Sequence, residues 1–185
     1  MEHKIYLTDL HAYNNGALIG DWVDITEFNR NDHNFSQICE RCGIKDGHEF
    51  FISDYESSFN IYICEYIDSE TLYRLADVIN SCDDDYIQAV CDYTCDLEEQ
   101  IQHCEDEDLD FIPSDDPGYE DLAHFILDTT GELDQKDWKS SYFDYEAYGR
   151  DLVLGGDFTI VSNGYISKRV KKAIKVKNFN RFSQT

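Results

Sequence analysis

The chain has 185 residues, with 39 Asp and Glu against 15 Lys and Arg and a formal net charge of −24. Hydrophobic residues make up 42% and aromatics 14%, which excludes a disordered acidic tail, because such tails lack the apolar surface that offsets ordering entropy. No run approaches the roughly 18 apolar residues of a membrane span, and the opening MEHKIYLTDL lacks the apolar segment of a signal peptide, so a cytoplasmic protein is expected.

In chain order, residues 5–10 and 17–23 read as two strands, with Asn14-Asn15-Gly16 between them as a hairpin turn. Residues 32–42 read as a short helix with Phe35, Ile38, Cys39 and Cys42 on one face and Gly43 as its stop. A third strand over residues 49–55 completes a ββαβ unit, taken as a domain over residues 1–62. The next block, residues 63–104, reads as helical. Asp68 is an N-cap followed by Leu72, Leu75, Ala76 and Ile79 at helical spacing. Further helices are expected over residues 84–94 and 97–103.

Residues 104–121 then hold nine acids and no base in 18 positions, yet include Leu109, Phe111, Ile112 and Tyr119, which suit a core. Asp116-Pro117 is expected to open a helix that carries Leu122, Ala123, Ile126 and Leu127 and stops at Gly131. Ser141 to Asp144 reads as a relaxed capping box for a helix over residues 142–152, stopped at Gly155-Gly156. Residues 157–161 and 165–170 flank Ser162-Asn163-Gly164 as a second hairpin. The expected fold is α+β: three small consecutive domains in an elongated acidic protomer, the third over residues 105–170, with a basic tail over residues 171–185.

The charge is uneven. Residues 168–185 hold seven bases and no acid, which leaves 39 acids against 8 bases, or −31, in the rest. Catalytic signatures are missing: there is no G-x-S-x-G, P-loop or G-x-G-x-x-G, and no enzyme is expected. Cys39-x-x-Cys42 supplies half of a zinc site, with His33 and His48 nearby, but the helix reading buries both thiols. Residues 106–110 begin like a calcium loop, but Phe111 and Pro117 stand where Gly and Glu are required. The seven cysteines are odd in number and irregularly spaced, and read as reduced thiols.

The acids themselves are the strongest functional signal. Asp54, Glu56, Asp83, Asp84, Asp85, Glu98, Glu99, Glu105, Asp106, Glu107, Asp108, Asp115, Asp116, Glu120 and Asp121 are the candidate partner-binding surface. Duplex DNA carries about one charge per 1.7 Å of axis, so two copies with about 62 net charges would match roughly 105 Å of duplex. The composition fits a DNA mimic, and also an acidic interaction module for another basic DNA-binding protein.

The segment DYEAYGRDL, starting at Asp144, resembles the signature motif of the ArdA antirestriction proteins. IYLTDLHAYNNGALIGDW, starting at Ile5, resembles that family's N-terminal strand–turn–strand pattern. Ile52-Ser53-Asp54-Tyr55-Glu56 and Leu72-Tyr73-Arg74-Leu75 fall in the same order, and the resemblance spans about residues 3–167. It implies an elongated homodimer of three-domain protomers, carried by mobile genetic elements, that imitates bent DNA. Such a protein occupies the DNA-binding channel of Type I restriction-modification enzymes, chiefly at the methyltransferase core. It also implies no catalysis, no cofactor and no direct binding of nucleic acid. The dimer contact is expected near the signature motif, Asp144, Tyr145, Glu146, Tyr148, Gly149, Arg150, Asp151 and Leu152. Tyr145, Tyr148 and Leu152 fall to packing or the dimer seam, and Arg150 to a pairing with a neighbouring carboxylate. The basic tail runs past the family's expected end and reads as a free or folded-back segment, ahead of a nucleic-acid contact through Phe179 and Phe182.

Overall fold

The structure, a computed structural model, describes residues 2–133 and 138–167. Its strands are β1 (His3–Asp9), β2 (Gly20–Asp24), β3 (Phe50–Ser57), β4 (Asp110–Pro113), β5 (Thr159–Val161) and β6 (Gly164–Ser167). Its helices are α1 (Leu10–Asn14), α2 (Phe35–Arg41), α3 (Ser69–Ser81), α4 (Asp84–Tyr93), α5 (Leu97–Asp106), α6 (Tyr119–Thr130) and α7 (Tyr145–Leu154), with 3-10 turns at Ile25–Glu27 and Trp138–Tyr142. The α+β character expected from the sequence is present. The chain divides into two compact units: one comprises residues up to Ile87 with Thr94–Asp106, the other Gln88–Tyr93 with Glu107 onward. The division runs through α4.

In the first unit β1 is the centre of an antiparallel sheet ordered β2–β1–β3. Strand alternation turns Ile5 and Leu7 to the core, where neither is exposed, and leaves Lys4 and Tyr6 half-exposed. Ile5 stands opposite Val23 on one side and Tyr55 on the other. The register shifts between Tyr6 and Leu7, which leaves Ser53 out of the ladder; its hydroxyl lies 2.7 Å from that of Thr8.

The expected tight hairpin at Asn14-Asn15-Gly16 does not form. The Asp9 carboxylate accepts the Ala12 N–H at 2.8 Å and starts α1, while the Asn15 and Gly16 N–H groups close it on the carbonyls of Ala12 and Tyr13. The Leu10 N–H also donates to the Glu49 carbonyl at 2.9 Å. Tertiary partners thus overrule a local turn signal, and the second strand begins only at Gly20. Helix α2 likewise begins at Phe35, three residues late.

Helix α3 opens as read, with Asp68 accepting the Thr71 N–H at 2.9 Å. Leu72, Tyr73, Leu75, Ala76 and Val78 are buried, on a face that meets α5 and the Ile25–Glu27 turn. The Tyr73 hydroxyl accepts the Phe35 N–H at 2.9 Å and ties α3 to α2.

The second unit holds an antiparallel sheet ordered β4–β6–β5 beside α6 and α7. Its core is Ile112, Leu122, Ile126, Phe158 and Tyr165, with Tyr148, Leu152 and Val153 packed against it. The acidic stretch therefore contains a strand that the sequence reading left out: β4 pairs Phe111 with Ile166 and Ile112 with Tyr165. Helix α6 begins at Tyr119 on Gly118, not on Asp116-Pro117. Tyr165 explains the shift, because its buried hydroxyl accepts the Gly118 N–H at 2.7 Å and lies 2.8 Å from the Gly118 carbonyl. Gly131 caps the far end in the left-handed conformation, as expected.

Helix α7 begins at Tyr145 on Asp144, three residues after the expected start at 142, which instead ends a 3-10 turn over Trp138–Tyr142. Gly149 lets α7 cross α6 closely: a Cβ there would lie 1.8 Å from the Tyr119 carbonyl oxygen. The second hairpin forms with a tighter turn than read: β5 begins at Thr159, Ser162-Asn163 make the turn, and Gly164, at φ +151, already opens β6 opposite Val161. The expected continuation of β6 to residue 170 and the basic tail lie outside the described residues.

Candidate functional site

Elementary electrostatics opposes a surface this acidic, so the first question is what holds each carboxylate. Many sit at helix starts, where unpaired N–H groups and the positive end of the helix dipole favour negative charge. The Asp83 carboxylate accepts the N–H of Asp85 at 3.1 Å and opens α4; that of Asp96 accepts the N–H of Glu99 at 3.0 Å and opens α5. Asp68 opens α3 and Asp144 opens α7 in the same way. Each such cap is worth about 1 kcal/mol. Asp84, Asp85, Glu98, Glu99, Glu120, Asp121 and Glu146 lie in first turns, where each gains about 0.3–1 kcal/mol from the dipole.

In the first unit Asp54, Glu56, Asp83, Asp84, Asp85, Glu98, Glu99, Glu105 and Asp106 are all exposed. Asp54 and Glu56 lie on β3, where Glu56 stands opposite Lys4. Four carboxylates of α5 are held individually. Glu99 accepts the Thr94 hydroxyl at 2.7 Å, and Asp106 accepts the Gln102 amide at 2.7 Å. Arg74, reaching over from α3, holds the other two. Its Nε and Nη2 donate to Glu105 at 2.9 and 2.7 Å, and its Nη1 donates to Glu98. That pairing holds the Glu105 carboxyl below the usual carboxylate range. Among the described residues of this unit, Lys4 also pairs with Glu2, Arg30 with Glu70 and Asp77, and Arg41 with Glu27.

In the second unit Glu107, Asp115, Asp116, Glu120 and Asp121 are exposed and Asp108 is half-buried. Asp121 is tied to the core, because its Oδ2 accepts the hydroxyls of Ser114 at 2.8 Å and Tyr165 at 2.9 Å. Burial and the neighbouring Asp121 push the Tyr165 phenol up to about 12, against the hydrogen bonds it receives.

The signature segment is mainly a packing device. Asp144 accepts the Ala147 N–H at 2.9 Å. Tyr145 stacks on His124 with ring centroids 4.0 Å apart. Tyr148 and Leu152 pack on the core, and Gly149 lies in the helix crossing. Glu146 and Asp151 are exposed. Arg150 is exposed too, and among the described residues it forms no ion pair with Asp144, Glu146 or Asp151; the Asp144 carboxylate is engaged as a cap. Next to this segment Tyr142 and Leu154 are 83% and 74% exposed.

One polar cluster was not anticipated. Asp9 is buried, and its Oδ2 lies 2.7 Å from Nδ1 of His48. Burial raises the Asp9 carboxyl, but the hydrogen bonds from Ala12 and His48 outweigh it and hold the group below its ordinary value. His48 and Cys39 both line an open cleft of about 610 Å³, an arrangement that invites a nucleophile reading. Burial and the neighbouring Cys42 push the Cys39 thiol up to about 11, so it stays protonated at neutral pH and is a poor nucleophile. Among the described residues no group of three or more His, Cys, Asp or Glu is placed to hold a metal ion. Nor is any helix among them long and apolar enough to cross a membrane.

Sequence reasoning gave the acids but not their partners. Arg74, Tyr165 and His48 lie 31, 44 and 39 residues from the carboxylates they hold, and no local pattern carries such a pairing. Compared with family models, the chain matches the one described as Antirestriction protein (ArdA) over residues 5–167. A search of curated proteins found no match.

Proposed function

The chain belongs to the ArdA antirestriction family, and from that premise we propose that it is a protein decoy for DNA. In this reading it is a non-catalytic inhibitor that needs no cofactor. It enters the DNA-binding channel of a Type I restriction-modification enzyme at the methyltransferase core and so protects incoming mobile-element DNA. It acts in the cytoplasm as a homodimer of elongated, three-domain protomers joined near the signature segment, where Tyr142 and Leu154 offer apolar surface.

The observation that carries the reading is that a set of the carboxylates is exposed yet anchored. The α5 acids each have a hydrogen-bond partner, and Asp83 and Asp96 are bound into helix starts. Duplex phosphates are likewise fixed anions, and a channel lined with Lys and Arg recognises them largely through charge. A pre-ordered surface avoids part of the entropy that flexible acidic side chains lose on binding.

The test is direct binding of the purified protein to a Type I methyltransferase core without DNA, at several salt concentrations, together with methylation and restriction assays. Binding should compete with duplex DNA and weaken steeply as salt rises, because screening shortens to about 10 Å at 0.1 M. Binding that is indifferent to salt, or that leaves DNA in place, would refute the proposal. Capture of a different basic DNA-binding protein, with no affinity for the methyltransferase, would favour a general acidic interaction module.

A further inference from the structure

A cation in the middle of a DNA-like surface is a contradiction unless it does something for the anions. Arg74 projects from α3 with its side chain 17% exposed. It touches three residues of one α5 face: Glu98, Glu105 and, at 3.4 Å, the Gln102 amide oxygen. Exposed ion pairs add only about 0–1 kcal/mol to stability, so stability alone is a weak reason to give up a negative charge here. Geometry offers a better one. Glu98 and Glu105 lie seven residues apart on α5, and both carboxylates bond the same guanidinium. Unrestrained glutamates would sample several rotamers and lose that freedom on binding, whereas the planar guanidinium fork fixes Glu105 by two bonds and Glu98 by a third.

We propose that Arg74 is a positioning residue of the inhibitory surface, which holds Glu98 and Glu105 pre-ordered for a cationic channel and gives up one unit of charge to do so. The inference rests on the decoy reading and deepens it. It predicts the opposite of a charge count: Arg74→Ala makes the protein one unit more negative, yet should make it bind worse.

The experiment compares the wild-type protein with R74A, R74K and E98Q/E105Q, and with the triple variant R74A/E98Q/E105Q, for binding to a Type I methyltransferase core. Thermal unfolding and circular dichroism are followed in parallel. R74A should dissociate about tenfold faster, from the cost of ordering two released side chains on binding, with association unchanged or slightly faster. R74K, a point charge without the fork, should fall between the two. In the E98Q/E105Q background R74A should cost nothing further. In the free protein the Glu105 carboxyl should titrate below the usual range in wild type and return to it in R74A, read by NMR.

Unchanged or tighter binding by R74A overturns the inference, as does full rescue by R74K or an equal loss in the glutamine background. A variant that only loses folded fraction, with both rate constants unchanged, also overturns it, since that marks a structural role. Wild-type protein that fails to bind the methyltransferase refutes the decoy reading itself. Wild type that binds beside an unaffected R74A refutes only the role of Arg74.

Discussion

Replacing Gly149 by Ala tests how the signature segment works. The added methyl would lie 1.8 Å from the Tyr119 carbonyl oxygen, 2.6 Å from its carbon and 3.0 Å from its Cα. All three are backbone atoms, so no side chain can swing aside. The two helices would have to part by about 1.2 Å to bring the closest approach to about 3.0 Å, the shortest that real Cβ atoms tolerate. That movement draws Tyr148, Leu152 and Val153 away from Leu122 and Ile126. Ala gains about 1 kcal/mol over Gly in helix propensity, while overpacking costs about 1–3 kcal/mol and more where backbone is the obstacle. A net loss of about 2 kcal/mol follows, which lowers the midpoint by about 8–16 °C in a unit of this size. Thermal unfolding followed by circular dichroism measures it, with Glu146→Ala, at an exposed position of the same helix, as the control that should stay within about 0.5 kcal/mol. A midpoint for G149A equal to or above wild type would show that helix propensity, not the crossing, governs this position.

Asp9→Asn should weaken acid-dependent stability. The Asp9 carboxyl is held below its ordinary value, so its contribution is present above the unfolded pKa of about 4 and is lost as pH falls through the folded one. Acid unfolding of D9N should therefore show a shallower pH dependence than wild type in that window, and identical profiles would contradict the His48–Asp9 account. Thiol labelling offers a second check. Burial pushes Cys39 up to about 11 and Cys91 up to about 12, so exposed Cys64 and Cys95 should be alkylated first at mildly alkaline pH, as read by peptide mass. Early modification of Cys39 or Cys91 would be inconsistent with that burial.

What could be read from the chain was governed by the distance over which each feature is decided. Helix α3 was legible because its cap, apolar stripe and length lie within residues 68–81. The same holds for the Gly131 stop of α6 and the hairpin at Ser162-Asn163. The Asn14-Asn15-Gly16 turn misled because Asp9, His48 and Glu49 decide that corner, two of them more than 30 residues away. β4 was hidden for a related reason: only Ile112 of its four residues is buried, and its partner β6 follows about 50 residues later. Acidic residues could be nominated from composition, but whether a carboxylate hangs free or is clamped depends on residues such as Arg74, Ser114 and Tyr165 that only the fold brings close.

The helix-start carboxylates make part of the molecule's charge separable from its architecture. Asn accepts the same backbone N–H about as well as Asp does. A protein rewritten with Asn at positions 68, 83, 96 and 144 would keep the openings of four helices and shed four negative charges. The same exchange at Asp121 or Glu105 would instead disturb a bond to Tyr165 or Arg74. The acids thus form two populations, one discardable without altering the shape and one woven into it, and a neutralised scaffold built from the first would isolate what shape alone contributes.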